Sequence, residues 1–132
     1  QSILKVKSNL DSGMFRAMQL AAAKALEAGE DWYASNNQNY RNRRQLAGEI
    51  MEALQCTYDD HQVGMFLWGK IPASCTDVEE LTEKVLHQAR VFITPGFIFG
   101  SNGARYIRIS LCCKDEKLAE ALERIKEMNK NK

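Results

Sequence analysis

The sequence predicts an α/β protein, α+β-like in arrangement: a small sheet of about three to four strands covered on one face by helices. Three observations predict it. Short, bulky apolar runs bounded by glycine or proline recur at residues 64–69, 91–94 and 106–111, as buried strands do. Apolar residues return to spacings of three and four over 77–90 and 116–128, the period of an amphipathic helix. In the third run, Ile107, Ile109 and Leu111 alternate with Tyr106, Arg108 and Ser110, so one sheet face is apolar and the other polar. Such elements pack helices onto the apolar face. The other face is left exposed or meets something outside this chain.

In chain order, Ile3, Leu4, Val6 and Leu10 read as the middle of an element, which Asp11-Ser12-Gly13 interrupts. A helix is predicted over residues 15–28, with Phe15, Met18, Ala22, Ala25 and Leu26 on one side and Gly29 as its stop. A longer helix is expected over 31–54, carrying Trp32, Tyr33, Tyr40, Leu46, Ile50 and Leu54. The Asn36-Asn37-Gln38-Asn39 stretch weakens it, and Arg41, Arg43 and Arg44 read as a solvated or salt-bridged face. Residues 64–69 form the first strand, ended by Lys70-Ile71-Pro72. The next helix places Val78, Leu81, Val85, Leu86 and Ala89 on one face, with Ser74 or Thr76 as its cap. Thr76 stands three residues before Glu79 in the manner of a capping box. Residues 91–94 are the second strand, stopped by Pro95-Gly96. A loop punctuated by Gly96, Gly100 and Gly103 leads to the third strand. The final helix buries Leu118, Ala121, Leu122, Ile125 and Met128 and turns charges outward.

Length and charge exclude several classes. The 132 residues suit one domain, and a 45% apolar share allows a core without staples. A net charge of +1 with dispersed basic residues argues against nucleic acid as a partner. No apolar stretch approaches the roughly 20 residues of a membrane span. Cys56, Cys75, Cys112 and Cys113 form no CxxC pair, and His61 and His87 lie far from any ligand spacing, so no metal site is expected. Reduced thiols in a cytoplasmic protein are the expectation. Gln1, in place of a methionine, suggests a piece of a longer chain.

The chemistry concentrates on the third strand. Arg108 stands between Tyr106 and Ser110 on the uncovered face, where a guanidinium offers a planar fork that matches a carboxylate. The glycine-rich loop before it lacks the Gly-Lys-Ser/Thr of a phosphate loop and leads into a strand. It is better suited to one wall of a cleft, with Phe97 and Phe99 anchoring it by packing and Tyr106 beside them.

These residues carry a resemblance. Pro95-Gly96-x-x-Phe99-Gly100-x-x-Gly103-x-x-Tyr106-Ile107-Arg108-Ile109-Ser110 resembles the C-terminal signature of the aspartate aminotransferase superfamily, the fold-type-I enzymes that use pyridoxal 5'-phosphate. Ser8-Asn9-Leu10-Asp11-Ser12-Gly13 with Gln19, the Trp32, Tyr40 and Arg43-Arg44 series, and Gly64-Met65-Phe66-Leu67-Trp68 with Ile71-Pro72 are similar to the family's segments in the same order. The resemblance implies the small domain of such an aminotransferase. Residues 1–14 would connect from a large cofactor-binding domain, and 15–132 would be the small domain. It also implies transamination between an amino acid, aspartate-like or related, and a 2-oxo acid, with Arg108 gripping the α-carboxylate. The family's cofactor forms a Schiff base with a lysine and acts as electron sink for the substrate carbanion. That lysine's setting is not found here, so the chain alone is expected to be inactive and to hold no cofactor.

By the same resemblance Asn9 and Ser12 lie near a subunit interface, as cofactor-phosphate or interface residues; the alternative is that they are turn and cap residues. A homodimer is implied for the full-length enzyme. Two other readings remain open. One is the small domain of another fold-type-I enzyme, a decarboxylase or an acyl-CoA-condensing synthase. The other is a stand-alone module binding a carboxylate or a protein partner.

Overall fold

A computed structural model describes residues 1–10 and 13–130 of the chain. Five helices and a three-stranded antiparallel sheet follow one another among these residues. They are α1 (Ser2–Leu10), α2 (Arg16–Leu26), α3 (Glu30–Ala53), β1 (Phe66–Lys70), α4 (Val78–Ala89), β2 (Thr94–Pro95), β3 (Tyr106–Ser110) and α5 (Asp115–Lys130). The chain divides into two compact units, Gln1–Asn36 and Asn37–Lys132.

The first unit holds α1, α2 and the start of α3. The apolar spacing read over 15–28 does form a helix, yet neither α1 nor α2 buries a residue. Ile3, Leu10, Phe15 and Leu26 are each more than 70% exposed. Apolar periodicity reports a face made for burial; here that face is bare.

The second unit carries the core. Its strand order is β1-β3-β2, with Trp68 opposite Arg108 and Thr94 opposite the same residue on the other side. Leu67, Ile107, Ile109 and Leu111 point into a cluster supplied by α3 (Ala47, Ile50, Met51), α4 (Val78, Val85) and α5 (Leu118, Leu122, Ile125). One sheet face is therefore covered by three helices, as the alternation predicts. The opposite face carries Phe66, Trp68 and Lys70 from β1 beside Ser110, Arg108 and Tyr106 from β3.

Two expectations need correction. The cap of α4 is Asp77, which accepts a hydrogen bond from the Glu80 amide at 2.8 Å, rather than Ser74 or Thr76. The Glu80 carboxylate reaches back to the Thr76 amide at 3.0 Å. The pair thus resembles a capping box one residue later, with the return bond going to Thr76 just before the cap, because aspartate at 77 serves as well as threonine at 76. The strand expected over 91–94 pairs with β3 only at Thr94 and Pro95. Ile93 points inward and Phe92 outward, so the alternation was legible. Backbone pairing was not, since periodicity reports which side faces the core and not whether a neighbouring strand is present. Residues 91–93 instead border a cleft of about 270 Å³ together with Ser110, Cys113 and Lys117.

Side-chain donors tie the sheet to its surroundings. Arg43 binds Asp115 at 2.8 Å and the Leu111 carbonyl at 3.2 Å, and Arg44 binds the Gly64 carbonyl at 2.8 Å. The two arginines, read from sequence as part of a solvated or salt-bridged face, thus pin the end of β3 and the approach to β1, Arg43 through a salt bridge. Arg105 donates from Nη1 to the Cys75 and Thr76 carbonyls, each at 2.8 Å, and from Nη2 to Pro72 at 2.9 Å. It stitches the turn before α4 to the start of β3. Arg105→Ala is expected to lower the unfolding free energy by about 1–3 kcal/mol, because partly buried carbonyls lose a charged donor. Denaturant unfolding of the chain measures this; a change within error would show that water replaces the guanidinium freely.

Candidate functional site

The uncovered sheet face is organised around Arg108. Its Cζ lies 4.1 Å from the Phe66 ring centre, 4.0 Å from that of Phe99 and 5.9 Å from that of Trp68. Phe66 and Trp68 alternate out of β1 on the side that β3 offers Arg108. Phe99 comes from the loop after β2, and its ring meets Trp68 edge-on with centres 5.5 Å apart. A guanidinium so flanked is attracted by the ring quadrupoles and loses rotational freedom. Its fork is held in one plane.

Polar partners are missing from this cage. The Arg108 Nε is buried and has no hydrogen-bond partner, and no hydrogen bond or ion pair to the Arg108 side chain occurs among the described residues. An unpaired buried donor costs about 1–3 kcal/mol, more when charged. The other arginines of this unit near the sheet, Arg43, Arg44 and Arg105, each find carbonyl or carboxylate acceptors, although the Arg44 Nη1 is likewise buried without a partner. Arg108 is stacked, oriented and unsatisfied, which suits an anionic group arriving from outside.

The loop that delivers Phe99 consists of two tight turns, Gly96–Phe99 and Ser101–Gly103. Gly96 and Gly103 lie back to back: a β-carbon built on Gly96 would stand 2.5 Å from the Gly103 carbonyl oxygen and 2.7 Å from that of Tyr106. Side chains cannot occupy that contact, so the loop can close only with glycine there.

The remaining candidates scatter. Phe97 is 44% exposed and makes no ring contact with Arg108 among the contacts above, while Tyr106 is half-buried opposite Lys70. Phe99, expected as packing, is a direct neighbour of the guanidinium. Asn9 lies on exposed α1, where its Nδ2 donates to the Lys5 carbonyl at 2.7 Å; Ser12 falls outside the described residues. Sequence reading did not single out Phe66 or Trp68 as neighbours of the arginine. Their place opposite β3 was the available signal, and it requires the register. Gln62, whose side-chain amide bonds both backbone groups of Trp68, was missed as well. Burial pushes the Cys56 thiol up to about 12, so it stays protonated and inert at neutral pH. Among the described residues no His, Cys, Asp and Glu group could hold a metal ion, and no helix is long and apolar enough to cross a membrane.

Fold and site together define a helix-covered sheet with an aromatic-caged arginine on its uncovered face. The chain belongs to the aminotransferase class I and II family, which it matches over residues 2–125. It is 38% identical over 121 residues to an LL-diaminopimelate aminotransferase of Oleidesulfovibrio alaskensis, covering 92% of this chain and 31% of that protein. With the enzyme of the same name from Maridesulfovibrio salexigens it shares 36% over 124 residues, 94% of this chain and 32% of the other. Its fold superposes with a TM-score of 0.79 and 33% identity on MJ0684 of Methanococcus jannaschii, described as similar in its active site to kynurenine aminotransferases; 95% of this chain and 33% of that one are covered. The chain thus spans about a third of the length of the relatives it matches.

Members of this family use pyridoxal phosphate. The described residues do not by themselves make a cradle for it. Asn9 spends its amide on Lys5, and the hollow lined by Leu4, Lys7, Ser8, Gly13 and Met14 has no buried wall, since each of these residues is exposed.

Proposed function

We propose that this chain is the substrate-carboxylate half of a pyridoxal-phosphate-dependent aminotransferase, moving an amino group between an amino acid and a 2-oxo acid. The observation that carries the proposal is the caged Arg108, oriented by Phe66 and Phe99 and lacking a partner at Nε. Every α-amino acid and every 2-oxo acid brings the carboxylate that this fork fits. The cofactor would supply the electron sink that makes the α-proton labile. Arg108 would contribute position and charge pairing, holding the substrate so that its reacting bond is aligned. Residues 1–14 would lead in from a large cofactor-binding domain, and the bare apolar residues of α1 and α2 would be covered there or by a second subunit of a homodimer.

The test uses the full-length protein, whose visible absorption is followed while L-aspartate, L-glutamate and LL-diaminopimelate are added in turn. The last is included because relatives carry its name. Conversion of the cofactor band to the amine form, reversed by 2-oxoglutarate, supports the reading. Release of carbon dioxide in place of a 2-oxo acid, or of coenzyme A when an acyl-CoA is supplied with the amino acid, would instead assign a decarboxylase or a synthase.

A second expectation concerns the chain alone. Incubated with pyridoxal phosphate and then borohydride, it should acquire no stoichiometric label at a single lysine. Mass spectrometry reads this directly, and one fully labelled lysine would overturn the idea that the cofactor is held elsewhere.

A further inference from the structure

We propose that Gln62 is a positioning residue for the carboxylate site, its side-chain amide standing in for a missing strand at the outer edge of β1 and fixing the cage around Arg108. The proposal rests on the reading of Arg108 as the carboxylate grip.

The geometry is specific. The Gln62 amide donates from Nε2 to the Trp68 carbonyl at 2.8 Å and accepts at Oε1 from the Trp68 amide at 2.9 Å. Both backbone groups of Trp68 therefore face away from β3. In an antiparallel pair this makes Trp68 and Arg108 a non-hydrogen-bonded pair, the kind whose side chains approach most closely. Two residues on, Lys70 exchanges both backbone bonds with Thr57, at 2.7 and 2.9 Å. The outer edge of β1 is thus paired by backbone at Lys70 and by a side chain at Trp68. A primary amide carries an acceptor oxygen and two N–H donors, so glutamine offers β1 the donor and acceptor of a strand residue and keeps a second N–H for the Asp59 carbonyl.

Gln62 is itself held. Its Nε2 also reaches the Asp59 carbonyl at 3.1 Å, and the Asp59 carboxylate accepts from the His61 amide at 2.8 Å. A small turn therefore presents the amide to β1. What Trp68 supports is the site: its ring meets Phe99, lies 3.1 Å from where a β-carbon on Gly96 would stand, and closes one side of the cage. Loss of the amide frees Trp68 at a sheet edge, and Phe99 and the guanidinium plane loosen with it.

The experiment is a double-mutant cycle on the full-length holoenzyme with the best amino donor of the three tested above. Gln62→Ala is expected to raise KM about 5- to 10-fold with kcat within about 2-fold of the parent, the loss of two modest hydrogen bonds felt through binding. Gln62→Glu keeps the acceptor but turns a carboxylate oxygen on the Trp68 and Asp59 carbonyls, so it should raise KM at least as much as Gln62→Ala. Denaturant unfolding of both variants guards against a folding defect. In an Arg108→Ala background Gln62→Ala should cost nothing further, since the pair acts as a unit. Unchanged KM in Gln62→Ala beside a weakened Arg108→Ala enzyme overturns the role of Gln62 alone, as does a loss that persists in full in the Arg108→Ala background. An Arg108→Ala enzyme with unchanged KM overturns the carboxylate reading and this proposal with it.

Discussion

In the full-length enzyme, Arg108→Ala is expected to lower kcat/KM for the amino donor by about 100- to 1000-fold, most of it through KM. The size follows from the cage. A bidentate, charge-assisted pair formed beside three aromatic rings is less screened by water than one on an open surface. The fold itself should barely respond. The Arg108 side chain makes no hydrogen bond to the rest of the chain among the described residues, and its removal abolishes an unsatisfied buried donor while forfeiting its stacking on Phe66 and Phe99. A stability change within about 1 kcal/mol is expected from that offset. Arg108→Lys should recover little, because an ammonium has neither the planar fork nor the same fit between rings. Steady-state kinetics and thermal unfolding, run on the same variants, measure the two effects side by side. A loss below about 3-fold would remove Arg108 from substrate binding. A large loss of stability would make it a structural residue.

The parts of this molecule that show in its sequence are those set by period. Alternation along β3 separates Ile107, Ile109 and Leu111 from Tyr106, Arg108 and Ser110, and the structure places the two sets on the covered and uncovered faces. Helical spacing located α4 and α5 to within a few residues. What failed depended on partners distant in the chain. The run at 91–94 has the pattern of a strand, yet only Thr94 and Pro95 meet β3, and no local signal records where a neighbour ends. The site divides in the same way. Arg108 could be singled out because its position on a strand and the loop before it are local features. Its cage depends on the β1–β3 register, and Gln62 reaches Trp68 through a turn that no motif announces. The Arg43-Arg44 pair was legible in part: a solvated or salt-bridged face was expected and Arg43 does pair with Asp115, but no local signal shows that the two also bind the Leu111 and Gly64 carbonyls.

Gly96→Ala is expected to destabilise the second unit by about 2–3 kcal/mol and to weaken carboxylate binding at the same time. The added methyl would meet the carbonyl oxygens of Gly103 and Tyr106 at 2.5 and 2.7 Å and the Trp68 ring at 3.1 Å. Two of these neighbours are backbone, one of them at the first residue of β3, so neither can yield without opening the double turn or shifting the strand. Opening the turn moves Phe99 off the guanidinium, which couples the loss of stability to the loss of binding. Phe99→Ala separates the two effects. Its ring is 50% exposed, so truncation should cost only about 1 kcal/mol of stability while still releasing one side of Arg108. Denaturant unfolding and KM, measured on the same full-length variants, should therefore place Gly96→Ala low on both scales and Phe99→Ala low on binding only. A Gly96→Ala enzyme of parental stability would mean that the turn relaxes at little cost. The glycine pair would then be dispensable to the loop, and Phe99 would need some other anchor to stay over Arg108.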